Sequence, residues 1–251
     1  MLEKRKPIIG LTMGDPNGIG PEIIVKALTK LNSCLDWHPV IFGDAWVFEQ
    51  VINKLGSNLQ LRVCENLAEL TGGPCIVDLK VHSGRNWNLG QVGAWGGESS
   101  FQFLKVAIEA ALANQIDAIT TAPISKTALH MAGHHFPGHT EILSALSNGA
   151  PPIMMLTVEG LRAVHVSTHV SLRNAIEQLQ PKRILEVAQV THDTLRRMGI
   201  ENPRLALPGL NPHAGEEGLF GDEEEEILLP ALNLMEAVSY THLRAHETSN
   251  H

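Results

Sequence analysis

The chain has 251 residues, 43% of them hydrophobic, so it can bury one large core or two smaller ones. Its formal net charge of −8 argues against nucleic acid or an anionic membrane as the main partner, because either would select a basic face. A small ligand is the better expectation.

Cysteine usage and the start of the chain predict the compartment. The three cysteines, Cys34, Cys64 and Cys75, are odd in number and follow no CxxC pattern. This usage is typical of buried thiols in a reducing cytoplasm rather than of a disulfide framework or a thiolate zinc site. The sequence shows neither a signal-peptide core nor an apolar run long enough to cross a membrane, so we expect a soluble cytoplasmic protein.

The first predicted element is a strand at Ile8–Thr12, followed by the glycine-rich turn Met13-Gly-Asp-Pro-Asn-Gly-Ile-Gly-Pro-Glu22 and a helix. Strand, turn and helix in this order indicate an α/β fold. Gly18 and Gly20 match part of a dinucleotide-binding fingerprint, but the full three-glycine pattern is absent. A tight strand-to-helix turn is therefore the preferred interpretation. One helix face is apolar: Ile23, Ile24, Ala27, Leu28 and Leu31.

The next elements follow from apolar runs and from periodicity. Strands are predicted at 40–42, 59–63, 75–79 and 117–120, and helices at 44–55 and 101–112. The stretch 84–97, rich in Gly, Asn and Trp, predicts an extended loop, in which Trp87 and Trp95 are interpreted as packing anchors.

The most informative stretch runs from Thr120-Thr-Ala-Pro-Ile-Ser-Lys126 to Phe136-Pro-Gly-His-Thr-Glu141. It predicts a strand end, a turn and a polar loop whose last residues open a helix. Thr140 suits the N-cap of that helix, and a helix N-terminus after Gly138 readily holds an anionic group. The alternative is that Thr140 serves only as a cap.

The second half of the chain predicts a hairpin and a long helix. Strands at 153–158 and 161–167 flank Glu159-Gly160, a spacing typical of a tight turn. A helix opens at Pro181 and stops at Gly199. A strand at 204–208 then leads into a loop at 209–216, and an acidic helix follows at 222–236. The core face of the long helix is predicted to consist of Ile184, Val187, Ala188, Leu195 and Met198.

Three histidines lie just past predicted strand ends or in the loops that follow them: His139, His169 and His213. Ligands of open α/β sheets bind outside the carboxyl ends of the strands. Neutral imidazoles gathered there are candidates for zinc or another divalent metal. Against this interpretation, the chain has 13 histidines, and the spacing of His169 and His213 matches no compact motif such as HExxH.

Five motifs in order resemble the 4-hydroxythreonine-4-phosphate dehydrogenase family of vitamin B6 biosynthesis, over essentially residues 8 to 237. They are Met13-Gly-Asp-Pro-Asn-Gly-Ile-Gly-Pro-Glu22, Thr121-Ala-Pro-Ile-Ser-Lys126, Gly138-His-Thr-Glu141, Ser167-Thr-His169 and Gly209-Leu-Asn-Pro-His-Ala-Gly-Glu216. The resemblance implies that His139 and Thr140 bind substrate and that His169 and His213 are two of three histidines holding a divalent metal. Lys126 is a candidate for phosphate binding or proton handling, with a surface lysine as the alternative.

The resemblance also implies a fold and a reaction. The fold is the two-lobed α/β/α sandwich of the isocitrate and isopropylmalate dehydrogenases, with the site between the lobes and completed across a homodimer. The reaction is oxidation of 4-phosphohydroxy-L-threonine by NAD or NADP, assisted by zinc, magnesium or cobalt. Decarboxylation would then give 3-amino-2-oxopropyl phosphate.

The chain departs from the family pattern at its C-terminal end. We interpret 1–237 as a truncated two-lobed dehydrogenase region and 238–251 as a tail without family pattern, so the third metal histidine and further substrate residues are missing. We therefore expect little dehydrogenase activity from this polypeptide. Two alternatives stay open: a dehydrogenase for D-threonate or D-erythronate 4-phosphate within the same family, and a non-catalytic module that binds metal and phosphorylated ligands.

Overall fold

A computed structural model of the chain describes residues 5–31, 36–64, 67, 73–81, 87–147, 149, 152–213, 215–216, 218–237 and 244–246. The chain divides into two compact units, Met1–Pro152 and Ile153–His251. Within the described residues, no helix is both long enough and apolar enough to span a membrane.

The first unit is built on a five-stranded, fully parallel sheet with the strand order β3-β4-β2-β1-β5. Its strands are β1 (Ile8–Thr12), β2 (His38–Gly43), β3 (Arg62–Val63), β4 (Cys75–Asp78) and β5 (Ala118–Thr121). The α/β prediction is therefore confirmed. Of the strand predicted at 59–63, only the last two residues join the sheet.

Helices cover both faces of this sheet, because alternate side chains of each strand point to opposite faces. The helices are α1 (Gly20–Leu31), α2 (Ala45–Leu55), α3 (Ala94–Leu112), α4 (Lys126–Met131) and α5 (His139–Leu146). On β2, Ile41 packs in the core that contains α1 and α2 residues, whereas Val40 and Phe42 pack in the core that contains α3 residues. Three layers of the α/β/α type result.

The buried face of α1 differs from the predicted one. Ile24, Val25 and Leu28 are buried, whereas Ile23 and Leu31 are each 43% exposed. The two exposed residues line a largely apolar cavity of about 690 Å³ beside β1 and β5. The apolar stripe of α1 is therefore wider than the part that the sheet covers.

The structure corrects two predictions at the start of α3 and between β5 and α5. First, α3 begins at Ala94, so Trp95 and the two glycines after it are helical rather than part of a loop. Second, the segment predicted to be a polar loop contains α4, whose N-cap Ser125 accepts a hydrogen bond from the Ala128 N–H through Oγ. Trp87 does act as a packing anchor, because its ring lies edge-on to that of Trp46.

The N-cap prediction for α5 is also wrong by two positions. The helix begins at His139, and its N-cap is Gly138, which makes no side-chain capping bond. Thr140 thus occupies the second helical position. The backbone of Gly138 is fully extended and turns the chain into the helix before Thr140 is reached.

The prediction of three cysteine thiols is contradicted by the fold. Cys64 and Cys75 form a disulfide, with their Cα atoms 5.8 Å apart. The reason is the parallel pairing of β3 with β4, which brings the end of one strand beside the start of the other. Cys34 lies outside the described residues.

The second unit begins with the predicted hairpin, β6 (Met155–Val158) and β7 (Leu161–Val164), joined by Glu159 and Gly160. It continues with α6 (Leu172–Glu177), α7 (Pro181–Arg197), β8 (Ala206–Pro208), a π-helical segment (Glu224–Leu228), α8 (Leu229–Ala237) and β9 (Arg244–His246), which pairs in parallel with β8. Its core lies between α7 and α8 and contains Ile184, Ala188, Leu228, Ala231 and Met235. Met198, predicted to face this core, lies past the end of α7 and is exposed.

Candidate functional site

In the first unit, the turn after β1 lies directly against the chain that leaves β5. The Asp15 N–H donates to the Pro123 carbonyl at 3.0 Å, and the Ala122 N–H donates to the Thr12 carbonyl at 3.1 Å. Gly14 has a φ of +71°, and a methyl group there would collide with the Pro123 carbonyl. Only glycine readily adopts this φ and leaves room for the Pro123 carbonyl. Glycine at this position therefore allows the turn to lie against the end of β5.

Asp15 and Asn17 are buried polar residues in this turn. The Asn17 N–H donates to Asp15 Oδ1 at 2.9 Å. Burial raises the pKa of the Asp15 carboxyl, and this hydrogen bond only partly opposes the rise. Asn17 Oδ1 is buried and has no hydrogen-bond partner among the described residues. The turn therefore contains a hydrogen-bond acceptor, Asn17 Oδ1, without a partner among the described residues. Beside it lies the Asp15 carboxyl, whose ionisation is disfavoured by burial.

His139 opens α5 and is half-buried. Its ring interacts with the backbone of Ala122, and its Nε2 is buried without a hydrogen-bond partner among the described residues. Burial lowers the pKa of His139, and the hydrogen bond to Ala122 partly opposes that shift. The lowered pKa favours the neutral imidazole, and its Nε2 remains available to a ligand.

The structure places Lys126 next to the residues that precede His139. A Cβ atom built on Gly138 would lie 4.0 Å from Lys126 Cε and 3.5 Å from Glu141 Oε2. Lys126 is exposed at the first position of α4, and Thr140 is half-buried at the second position of α5. A positive and a negative side chain therefore flank this helix N-terminus. An anion bound there would need Lys126 to offset Glu141.

A further contact positions this region and was missed in the sequence. His134 Nε2 lies 2.7 Å from Glu98 Oε2, and the His134 ring stacks on Phe101 with 3.8 Å between ring centroids. Gln102 donates to the other carboxylate oxygen of Glu98 at 2.7 Å. Together these contacts tie the loop before His139 to α3. The pairing of His134 with Glu98 spans 36 residues and therefore leaves no local signal in the sequence.

The two histidines proposed for metal lie in the second unit. His169 is exposed in the turn that follows β7, with a φ of +60°. His213 is exposed in the loop after β8, where its Nδ1 lies 2.7 Å from Glu216 Oε1. In the part of the chain that the structure describes, no three His, Cys, Asp or Glu side chains are grouped closely enough to hold a metal.

The donor chemistry of this loop nonetheless fits a divalent metal. Imidazole nitrogens suit zinc and its first-row neighbours, and a carboxylate on the other ring nitrogen is the usual second-shell partner of a metal-binding histidine. His213 has such a partner in Glu216, which leaves Nε2 as the nitrogen that can bind a ligand.

Comparisons with known proteins match most of the chain. The profile of the family described as pyridoxal phosphate biosynthetic protein PdxA matches residues 36–243. The chain is 42% identical over 229 residues to the D-threonate 4-phosphate dehydrogenase of Salmonella typhimurium, and the matched region covers 89% of this chain and 69% of the relative. It is 40% identical over 235 residues to the D-threonate 4-phosphate dehydrogenase of Cupriavidus necator, and the matched region covers 92% of this chain and 70% of that relative.

A solved structure has the same fold. The crystal structure of 4-hydroxythreonine-4-phosphate dehydrogenase from Klebsiella pneumoniae superposes with a TM-score of 0.88 at 37% identity. The superposition covers 98% of this chain and 74% of that one.

Proposed function

This chain belongs to the family of the pyridoxal phosphate biosynthetic protein PdxA, and from that premise we propose that it oxidises the 3-hydroxyl of a four-carbon acid phosphorylated on its terminal carbon. The resemblance drawn from the five sequence motifs is thus confirmed. So is the enzyme class, because the relatives are dehydrogenases and the chain is accordingly an NAD-dependent oxidoreductase.

We propose D-threonate 4-phosphate as the substrate. The observation that carries this choice is the 42% identity to a relative named for that substrate. Oxidation of its 3-hydroxyl gives a β-keto acid, and loss of carbon dioxide from that acid leaves dihydroxyacetone phosphate. The sequence analysis put 4-phosphohydroxy-L-threonine first; we propose the other order because relatives of 40% and 42% identity are named for D-threonate 4-phosphate.

4-Phosphohydroxy-L-threonine remains the second candidate, because the family description and the Klebsiella pneumoniae structure favour it. The two substrates share the 3-hydroxyl, the carboxylate and the phosphate. They differ only at carbon 2, which carries a hydroxyl in one and an ammonium in the other. The reaction class is therefore the same for both, and the specificity has to come from the group that contacts carbon 2.

In the first unit we assign substrate contacts to His139, Thr140 and Lys126. The neutral His139 ring offers Nε2 as an acceptor for a substrate hydroxyl or ammonium hydrogen. Lys126 and the N-terminus of α5 would hold the phosphate, and the lysine charge would compensate that of Glu141, because both side chains lie close to Gly138. Lys126 is also the candidate for proton handling.

In the second unit we assign a divalent metal, either zinc, magnesium or cobalt, to His169 and His213. A metal held there would lower the pKa of a substrate hydroxyl that binds to it. The nicotinamide cofactor, NAD or NADP, would accept the hydride. We also propose that the enzyme works as a homodimer in the cytoplasm, as its resemblance to the family implies.

The test is an NADH absorbance assay with each of the two substrates, NAD and a divalent metal. It is run on the chain as it stands and on the chain extended by the C-terminal segment of the Salmonella typhimurium relative. Turnover of D-threonate 4-phosphate alone supports the first proposal, and turnover of 4-phosphohydroxy-L-threonine alone replaces it with the second. Binding of metal and phosphorylated ligand without NAD reduction in either version would establish a non-catalytic module instead.

A further inference from the structure

The loop between β8 and the π-helical segment is fixed by its own hydrogen bonds. Asn211 Oδ1 accepts from the His213 N–H at 2.8 Å and from the Gly215 N–H at 3.5 Å. Glu224 Oε1 accepts from the N–H groups of Leu210 and Asn211 at 2.9 and 3.3 Å. The side chains of Asn211 and Glu224 therefore fix the backbone that carries His213.

The ring of His213 is held as well. Its Nδ1 lies 2.7 Å from Glu216 Oε1, and its centroid lies 5.1 Å from that of Phe220. The Glu216 N–H donates to the His213 carbonyl at 3.1 Å, so the carboxylate is brought back towards the ring by a turn. These two contacts restrict the orientation of the imidazole.

Glu216 reaches this position only through an unusual backbone. Its φ is +42°, in the left-handed region that a non-glycine residue enters at a cost in free energy. The residue before it, Gly215, also has a positive φ. An exposed ion pair contributes little to stability, because water and salt screen it. The stability that the His213–Glu216 contact contributes is therefore too small to explain why Glu216 adopts this conformation.

We infer that Glu216 is the positioning residue of His213. By accepting the Nδ1 proton, its carboxylate selects the tautomer in which Nε2 carries the lone pair, and it makes that nitrogen a stronger ligand for a divalent transition metal. This inference rests on the proposed function, in which His213 binds the metal.

The first readout is made on the metal-free protein. Nitrogen-15 NMR of the neutral His213 ring reports which nitrogen carries the proton. We expect the Nδ1–H form in the wild-type chain and in Glu216→Gln, whose amide oxygen can still accept. In Glu216→Ala we expect a shift towards the Nε2–H form. An unchanged tautomer in Glu216→Ala would overturn the inference.

The second readout is the affinity for Zn²⁺ and Co²⁺, measured by titration. Glu216→Ala should lose about 10- to 100-fold in affinity, the usual effect of removing a second-shell partner. Glu216→Gln should lose less. The matched control is Glu201→Ala, an exposed carboxylate of the same unit outside the metal-binding loop, and it should bind as the wild type does.

A further variant separates the inference from the proposed function. If His213→Ala binds metal as tightly as the wild type, the metal assignment itself fails. If His213→Ala loses affinity and Glu216→Ala does not, only the role of Glu216 fails. A lower unfolding midpoint of metal-free Glu216→Ala relative to Glu201→Ala, with no change in the tautomer, would make Glu216 a structural residue and likewise overturn the inference.

Discussion

The backbone of Gly97 in α3 passes so close to that of Ala128 in α4 that a methyl group on Gly97 would collide with the Ala128 carbonyl oxygen. This approach sets the distance between the two helices, and α4 carries Lys126 at its first position. The glycine therefore helps to place a candidate substrate residue that lies 29 positions further along the chain.

Replacement of Gly97 by alanine should destabilise the first unit. Backbone atoms cannot move aside as a flexible side chain can, so we expect a loss of about 1–3 kcal/mol in the free energy of unfolding. Urea unfolding measures the loss. The control is Gly93→Ala, where φ is −158° and the nearest atom to a new Cβ is 3.8 Å away. Equal stabilities of the two variants would contradict the argument.

The pair formed by Glu98 and His134 predicts a pH dependence. Partial burial opposes ionisation of Glu98, but hydrogen bonds from Gln102 and His134 outweigh it and hold the pKa of this carboxyl below its ordinary value. Because the folded-state pKa is the lower one, the stabilisation is present above the ordinary pKa of glutamate and is lost as the pH falls through the folded-state value. The thermal unfolding midpoints of the wild type and Glu98→Gln should therefore converge as the pH falls through the folded-state pKa of Glu98. A difference that stays constant through this pH range would argue against the pair.

His139 should titrate below the ordinary range of histidine, because burial lowers its pKa more than the Ala122 hydrogen bond raises it. The neutral ring stabilises the fold above the unfolded-state pKa, and this stabilisation is lost as the pH falls through the lower folded-state pKa. Proton NMR of the ring measures the midpoint directly. A midpoint at or above that of a free histidine would refute the prediction.

The buried Nε2 of His139 can be tested by substitution. His139→Asn keeps a short polar side chain beside the Ala122 backbone but removes Nε2. We expect near-normal stability and about a tenfold weaker binding of the phosphorylated substrate, the effect of one lost hydrogen bond. Isothermal titration calorimetry measures the binding. Unchanged affinity would remove His139 from the substrate site.

The disulfide between Cys64 and Cys75 predicts an effect of reductant. It closes a loop with a sequence separation of 11, for which the chain-entropy estimate of stabilisation is about 3 kcal/mol. Oxidised wild-type protein should therefore be more stable than Cys64→Ser in urea, and reductant should abolish the difference. Thiol counting under denaturing conditions reports the state after purification.

The sequence alone determined those elements whose signals are local. Four such elements were predicted, and the structure contains them: the strand-turn-helix at the start of the chain, the end of α2 at position 55, the hairpin around Gly160 and the start of α7 at Pro181. Each depends on residues within a few positions of one another, through apolar periodicity, a left-handed glycine or the fixed φ of proline. The motifs that carry the family resemblance are local in the same sense.

Only the tertiary structure decided how distant segments affect one another. The contact of Glu98 with His134, the disulfide between Cys64 and Cys75 and the helical state of Gly97 all depend on neighbours that the chain order does not reveal. The lowered pKa of His139 is of the same kind, because it comes from burial and from the Ala122 backbone. Burial and long-range contact exist only once the sheet and its helices have assembled. For that reason the sequence could suggest His139 as a site residue but could not specify which of its nitrogens remains available.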